Sequence, residues 1–597
     1  MKINSRILPG RELRVPYYPF MLLLSLAWPL YYTAEPLHLG CLSYVLQQTA
    51  VFSMLQTIDS ISANRRLKYT AAGTALIYVF LIHFNALLLS ITSMDLYESV
   101  TVLATGGDFI YTLEEAGFST GLIIILAILL AAIFTTGCLI YRFMPHIIIR
   151  AKGIIILPLF LFILSAVLFA SEQCVNRETP GFFWRRIYPL YLELYSTASG
   201  TLTFPLRAED RIIPESYTGI SKAANPRNVV VIILESFRAD SINGELAPDM
   251  AMLAENSFAS ANYQTGAIYT SLAWNSILMD RPAYTFSGDI DYDREHGPGS
   301  GILRILKKAG YETYIAFSAN MEWKGFHERV NGRDRLIDHY YCGYLNRTEE
   351  RNHIDNRTTA RAEEWIDSAS RTKPFAMIIH LDSTHWTYYC DPEHRKSQPY
   401  AGKDVNIAKL RNPGDIELLY NRYRNSVRQV NSGISRVISA LKKNGAYDDT
   451  AIVIVSDHGE GFAPGMIGHS VLHDDIKRPA FIMRLPGTKK YSSEEYITDA
   501  EIFPTVFDYL GIKGWNGLVR GGSLLDPGYK RECVLSFHGS LLMADITFRD
   551  YRVLLRVKTG SSSISFTPVY CTDRSGKIIA DPWSGQWKEG LRRIMER

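Results

Sequence analysis

Three apolar runs in this sequence end abruptly on groups that bind metals or move protons. "NVVVIILESFRAD" (228–240) stops on Glu235. "FAMIIHLDSTHW" (375–386) runs out through Asp382 to His385. "AIVIVSDHGE" (451–460) ends in Ser456, Asp457, His458 and Glu460, with His469 and His473 a short loop later. A short β-branched apolar run reads as a strand buried on both faces. A carboxylate at the end of such a strand is costly unless something pairs with it. Clustered carboxylates without a partner repel one another and take up protons. Carboxylate oxygens together with imidazole nitrogens suit a divalent cation such as Zn²⁺ or Mn²⁺, which would neutralise Glu235 and Asp457. His380 lies inside its run and reads as structure, as does His473. Arg238, Asp240, Asn275 and Asp280 read equally well as solvated loop residues.

Positioning these groups takes a sheet. The predicted strands are Val229–Leu234, Thr313–Phe317, Phe375–Leu381, Ala451–Val455, Ala480–Leu485 and Cys533–Phe537. Helical patterns lie between them. In Arg422–Asn444, Tyr423, Val427, Val430, Ile434, Val437, Ile438 and Leu441 recur at helical spacing, and "KKNG" closes the helix. Strand, helix and strand in this order predict a doubly wound α/β domain. Chemistry in such sheets gathers beyond the carboxyl ends of the strands.

The first 174 residues read differently. Five apolar stretches, Tyr17–Tyr32, Leu37–Leu55, Tyr69–Thr92, Gly121–Tyr141 and Gly153–Ala170, predict an α-helical membrane domain of about five spans. Basic residues at the N-terminus (Lys2, Arg6, Arg11, Arg14), after the second stretch (Arg65, Arg66, Lys68) and after the fourth (Arg142, Arg150, Lys152) alternate with an acidic loop holding Asp95, Glu98, Asp108, Glu114 and Glu115. The positive-inside rule then puts the basic loops in the cytoplasm and everything after residue 175 outside. Residues 175–225, with Phe182, Phe183, Trp184, Tyr188 and Tyr191, read as a connector at the membrane surface, and 226–597 as the catalytic domain. Net charge of +3 over 597 residues, with no basic stripe, argues against nucleic acid as a partner. Of the seven cysteines, five lie after residue 170, where disulfides would persist. Cys342–Cys390 and Cys533–Cys571 are the pairings expected, as guesses that spacing alone does not fix.

"VIVSDHGE", with a histidine following in "GHSVLHDDIKRPAFIM", resembles the alkaline phosphatase and sulfatase superfamily, and the likeness covers roughly residues 226–590. Five spans ahead of such a domain resemble its membrane-anchored transferases: lipoteichoic acid synthases, phosphoglycerol transferases of periplasmic glucans, and phosphoethanolamine transferases acting on lipid A. The resemblance implies that Glu235, Asp457 and His458 hold a divalent metal, Zn or Mn, together with Thr270 of "QTGAIYTSLAWNSIL". Thr270 then matches the nucleophile, and His385 and His469 match substrate-binding histidines. The implied reaction moves phosphoglycerol or phosphoethanolamine from a membrane phospholipid donor to a cell-envelope glycan or lipid acceptor through a phospho-threonine. The implied location is a bacterial inner (cytoplasmic) membrane, multi-pass, with the catalytic domain periplasmic or extracellular. "LESF" is closer to the lipoteichoic acid synthases than to the "GET" of the phosphoethanolamine transferases. A phosphodiesterase or sulfatase-like hydrolase and a non-catalytic lipid-binding regulator are the alternatives. The sequence departs from the family in the apolar run "SLAWNSILMD" after Thr270, where Ser271 offers a second hydroxyl. The sulfatase Cys/Ser-x-Pro-x-Arg signature is absent there.

Overall fold

The computed structural model describes residues 16–32, 39–92, 96, 120–144, 156–175, 201–205, 217–259, 262–285, 297–345, 353–369, 373–402, 413–463, 466–469, 471–488, 496–539, 543–560, 563–573, 579 and 585–596. These fall into two compact units, Met1–Ser90 with Phe118–Ala198, and Ile91–Gly117 with Ser199–Arg597.

In the first unit the apolar stretches form helices Tyr17–Tyr32, Leu39–Ile61, Arg65–Thr92, Thr120–Phe143 and Ile156–Val175. Among the described residues one segment, Arg65–Asn85, is long and apolar enough to cross a membrane by length and composition; Tyr17–Leu26, Ile128–Phe143 and Ile156–Leu168 are shorter. The helix Leu39–Ile61 is diluted by Gln47 and Gln48, both buried. Five helices therefore stand where five spans were expected, with one clear candidate span among them. Apart from Arg65, Arg66, Lys68 and Arg142, the charged loop residues used for orientation lie outside the described residues, as does the aromatic segment 182–191.

The second unit holds two sheets. In chain order its strands are β1 (Leu202–Pro205), β2 (Asn228–Leu234), β3 (Phe258–Ala259), β4 (Glu312–Phe317), β5 (His339–Cys342), β6 (Phe375–Leu381), β7 (Thr450–Ser456), β8 (Gly461–Ala463), β9 (Met466–Gly468), β10 (Phe481–Arg484), β11 (Cys533–Phe537), β12 (Met543–Phe548), β13 (Tyr551–Thr559) and β14 (Ser563–Asp573). The main sheet has the order β3-β10-β7-β2-β6-β4-β5. Its five strands from β7 to β5 are parallel, while β10 and β3 run antiparallel at one edge. The expected doubly wound α/β domain thus has a mixed sheet, parallel over five strands and antiparallel at one edge. The chain between β7 and β10 is spent on the β8–β9 hairpin and a four-residue helix, Asp474–Lys477, instead of a long crossover helix. Cys533–Phe537 does not join this sheet. It is one edge of a second, antiparallel sheet of order β1-β14-β13-β12-β11. Its other edge, β1, lies inside the stretch expected to be a connector.

The β2 run is apolar throughout because both its faces are covered. Val229, Val231 and Ile233 pack with the Thr270–Met279 helix and the second sheet. Val230, Ile232 and Leu234 pack with Tyr423, Val427, Val430 and Ile434 of the Pro413–Lys443 helix. Each fully buried Val or Ile contributes about 1.5–3 kcal/mol relative to exposure, so this strand is a firmly anchored platform.

The cysteines depart from expectation. Cys342, Cys390, Cys533 and Cys571 carry thiols, not disulfides. Two strands separate β11 from β14, which puts Cys533 and Cys571 about 14 Å apart, beyond the 4.4–6.8 Å a disulfide bridges.

Candidate active site

Strand register brings the carboxylates together. Leu234 of β2 is level with Leu381 of β6 on one side and with Ser456 of β7 on the other. The next residue on each strand is Glu235, Asp382 or Asp457. Three adjacent parallel strands therefore deliver a carboxylate at the same height, at their carboxyl ends. The main chain locks this arrangement: Glu235 N donates to Leu381 O at 3.1 Å and Asp457 N to Leu234 O at 3.0 Å.

Glu235, Asp457 and His458 are fully buried. His458 Nε2 lies 3.7 Å from Glu235 Oε1 and 3.4 Å from Asp457 Oδ2. Its Nδ1 is 2.9 Å from Gly459 O, so that nitrogen carries the proton and Nε2 presents a lone pair. Thr270 Oγ1 donates to Glu235 Oε1 at 3.1 Å and lies 3.4 Å from His458 Nε2. Asp457 Oδ1 is satisfied by the amides of Ser236 (2.9 Å) and His458 (2.6 Å). Its Oδ2, like Glu235 Oε2, is buried without a hydrogen-bond partner. Burial, then the charge of Asp457, pushes the Glu235 carboxyl well above its usual range. Burial also raises Asp457. Burial, followed by neighbouring His469, holds His458 neutral.

Two turns hold the cluster in place. Ser236 sits at φ 51°, a left-handed conformation uncommon for serine, fixed by the bond from its amide to Asp457 and by Tyr423 Oη, which donates to its carbonyl at 3.0 Å. Ser456 Oγ accepts from Phe237 N at 2.8 Å, tying the β2 turn to the β7 turn. Gly459 has no room for a side chain, because a Cβ would lie 2.1 Å from Asp475 O.

Thr270 opens the Thr270–Met279 helix, and the "QTG" loop before it is pinned from both sides. Thr265 N donates to Lys477 O, Ile268 N to Phe537 O, and Gly266 N to Asp499 Oδ2 at 3.0 Å. The apolar run after Thr270 is explained by burial of every residue from Ser271 to Met279. Trp274 packs edge-on against Phe317 at 4.9 Å. Ser271 Oγ is buried without a hydrogen-bond partner, whereas Thr270 Oγ1 faces the carboxylates.

His469 stacks beside His458 with ring centroids 4.1 Å apart, and its Nδ1 lies 3.4 Å from buried Glu460 Oε2. Burial opposes its protonation, but the hydrogen bond and charge of Glu460 outweigh that and raise its pKa. His385 is half-buried with Nδ1 2.7 Å from Trp386 O, and it is close enough to depress protonation of His380 and His458. All six expected site residues thus gather at one edge of the sheet. Sequence reasoning passed over Ser236 and Asp355, whose carboxylate accepts from Asp382 N and Ser383 N at 2.8 Å each. It also read His380 as mere structure. The register of the three strands is the signal that ranks these residues, and a single sequence does not display it.

Residues 227–512 match the Sulfatase family model. The match takes in 286 of the 597 residues, just under half of the chain. The matched stretch covers the cluster from Glu235 to His469. The chain is 24% identical over 373 residues to the lipoteichoic acid synthase of Staphylococcus saprophyticus, covering 55% of this chain and 52% of that protein. With the lipoteichoic acid synthase of Staphylococcus aureus (strain USA300) it shares 23% over 377 residues, 57% of this chain and 52% of that one. It therefore spans about half the length of the curated relatives it matches. The crystal structure of the lipoteichoic acid synthase LtaP from Listeria monocytogenes aligns over 64% of this chain and 91% of that chain, at 18% identity and a TM-score of 0.47.

The donor set of this matched stretch fits a divalent cation. Donor atoms of Glu235, Asp457 and His458 all lie within 4.8 Å of one another. Ligands about 2.1 Å from one tetrahedral ion stand about 3.4 Å apart, close to the 3.4 and 3.7 Å separations at His458 Nε2. Buried, unpartnered Asp457 Oδ2 and the bare His458 Nε2, with Glu235 Oε1 beside them, are the atoms such an ion would satisfy.

Proposed function

We propose that this chain is a metal-dependent transferase that moves a phospho-headgroup, phosphoglycerol ahead of phosphoethanolamine, from a membrane phospholipid to an envelope glycan or lipid acceptor. The observation that carries the reading is the Thr270 hydroxyl, placed 3.1 Å from Glu235 Oε1 and 3.4 Å from His458 Nε2 at the start of a buried helix. The relatives named lipoteichoic acid synthase support the choice of phosphoglycerol. Glu235, Asp457 and His458 would hold Mn²⁺ or Zn²⁺, with Thr270 beside them. Bound there, the cation supplies Lewis acidity toward the phosphoryl oxygens and makes the hydroxyl more acidic.

The chain's own residues do the rest. Glu235 Oε1 accepts the Thr270 proton and leaves an oxygen lone pair free for phosphorus. In the first step the Thr270 Oγ1–P bond forms and the bond from phosphorus to the diacylglycerol oxygen breaks. His469, poised by Glu460, protonates that leaving oxygen. In the second step the acceptor hydroxyl gives its proton to His469 and attacks phosphorus. The P–Oγ1 bond breaks and Thr270 regains its hydrogen. His385, near His458, binds the headgroup. The helices before Val175 anchor the chain in the bacterial cytoplasmic membrane as a multi-pass protein, with the domain on its outer face.

The test is diacylglycerol release from headgroup-labelled phosphatidylglycerol or phosphatidylethanolamine by the purified full chain. Thr270→Ala should lower it by at least ~10³-fold, and Ser271→Ala should leave it within a few-fold. Loss in Ser271→Ala with survival in Thr270→Ala would reassign the nucleophile. Label recovered only as the free phosphorylated headgroup would make the enzyme a phosphodiesterase. A reporter fused after Arg597 that reads cytoplasmic would overturn the topology.

A further inference from the structure

His380 is the penultimate residue of β6, level with Ile233 of β2 and fully buried. Its ring stacks on Phe317 at 4.4 Å and meets the edge of Trp274 at 5.1 Å. Neither ring nitrogen has a hydrogen-bond partner. Buried polar atoms are paired in the great majority of cases, and each unpaired one costs about 1–3 kcal/mol. A phenylalanine would fill this aromatic slot at no such cost, so packing alone does not account for an imidazole here. Its Nε2 faces one atom in particular. Glu235 Oε2 lies 3.7 Å away and is itself buried without a partner.

We propose that His380 is a positioning residue for Glu235: its Nε2–H holds Oε2 and thereby fixes the carboxylate so that Oε1 stays directed at Thr270 and His458. The inference rests on the metal-dependent reading above. A shift of under 1 Å brings 3.7 Å to hydrogen-bond length. Burial keeps the ring neutral, with its pKa down to about 3, so it contributes an N–H dipole and no charge. His380 stands apart from the cation that Asp457 and His458 would share. Among the described residues the donor atoms form separate groups, Glu235 with Asp457 and His458, and Glu235 with His380 and Asp382, each spanning up to 4.8 Å. Glu235 is the hinge between them, with Oε1 on one side and Oε2 on the other.

The experiment is Mn²⁺ titration of the full chain in detergent, by calorimetry, with melting temperatures measured beside it. His380→Phe keeps the ring stack and removes the donor. His380→Gln restores a donor near the Nε2 position and gives up the stack. Positioning predicts one Mn²⁺ per wild-type chain, a Kd about 10–100-fold weaker in His380→Phe, and a Kd in His380→Gln closer to wild type. A packing role predicts the reverse order in melting temperature with Kd unmoved. Equal Kd in His380→Phe and wild type, or weaker binding by the Gln than by the Phe variant, overturns the proposal. So does a second Mn²⁺ lost in His380→Phe, which would make His380 a ligand. Should His380→Phe not fold, His380→Leu carries the same comparison. Wild-type chain that binds neither Mn²⁺ nor Zn²⁺ refutes the metal reading itself, an outcome distinct from binding that ignores His380.

Discussion

Replacing Glu235 by glutamine should have opposite effects on stability and on metal binding. Without a cation, Glu235 and Asp457 are two buried carboxylates with oxygens within 4.8 Å of one another. At that separation and an effective dielectric of 20 their repulsion is about 3 kcal/mol. Glu235→Gln removes it at nearly constant volume. The unit from Ser199 to Arg597 has about 400 residues, and an unfolding entropy of about 2.1 cal/mol/K per residue converts 3 kcal/mol into a rise of ~4 °C in Tm. Proton uptake by Glu235 in the wild type reduces this gain, so ~4 °C is its ceiling. The same change removes a charged ligand and should weaken Mn²⁺ binding by about 100-fold or more, beyond what loss of a supporting hydrogen bond does. Mn²⁺ at 100 times the wild-type Kd stabilises the wild type by ~2.7 kcal/mol, near 3 °C, but a variant weakened 100-fold by only ~0.4 kcal/mol, near 0.5 °C. The assay is thermal unfolding of both full-length proteins in detergent, with EDTA and with Mn²⁺. Glu235→Gln should melt higher in EDTA and respond little to Mn²⁺. A variant that melts below wild type in EDTA, or gains as much from Mn²⁺, would refute the claim that these carboxylates are held together for a cation.

Metal affinity should depend steeply on pH. Burial and then Asp457 raise the Glu235 pKa, so below that raised value the site holds a proton that the cation must displace. Kd should weaken about tenfold per pH unit for each proton released, as calorimetry in buffers of different ionisation enthalpy would show. The linkage to stability has the opposite sign: the cation-free fold binds this proton more tightly than the unfolded chain, so its stability falls as pH rises from the ordinary carboxylate range through the raised pKa. Lys477→Met should cost about 3–5 kcal/mol, because buried Lys477 Nζ lies 3.0 Å from buried Asp545 Oδ1 and the substitution strands that carboxylate. Chemical denaturation should show the loss, and adding Asp545→Asn should recover much of it. Peptide mapping without reductant should find Cys533 and Cys571 unbridged to each other; a Cys533–Cys571 disulfide would contradict the strand order.

The main strands were legible in the sequence where burial is two-sided. Val229–Leu234, Phe375–Leu381 and Ala451–Val455 were placed to within a residue, because a run apolar on both faces has one structural use. The Pro413–Lys443 helix showed through its seven recurring apolar positions, although it begins nine residues before the predicted start, with Pro413 and Gly414 in its first turn. The second sheet was nearly invisible. Tyr551–Thr559 alternates buried and half-buried residues, a weaker pattern that hairpin pairing completes only in three dimensions. β5, "HYYC", was missed because its first three residues are half-buried and none is aliphatic.

The histidines show why the site was only partly legible. His458 follows a carboxylate at a strand end, where a ligand is expected, and Gly459 behind it accepts no side chain. His380 falls within β6, so strand alternation offered a structural explanation and no reason to look further. Pairing decides the matter: β6 lies beside β2, and His380 sits level with Ile233, two residues short of Glu235. A side chain inside one strand can therefore reach the carboxylate just past the end of the next. Chemistry in this sheet extends one layer below the strand ends, into the aromatic slot of Phe317 and Trp274. That layer couples the core to the site, because a change in the slot moves the ring that faces Glu235 Oε2. Trp274→Phe is where the coupling should show, since Trp274 lies in the helix that Thr270 opens and also packs on the His380 ring.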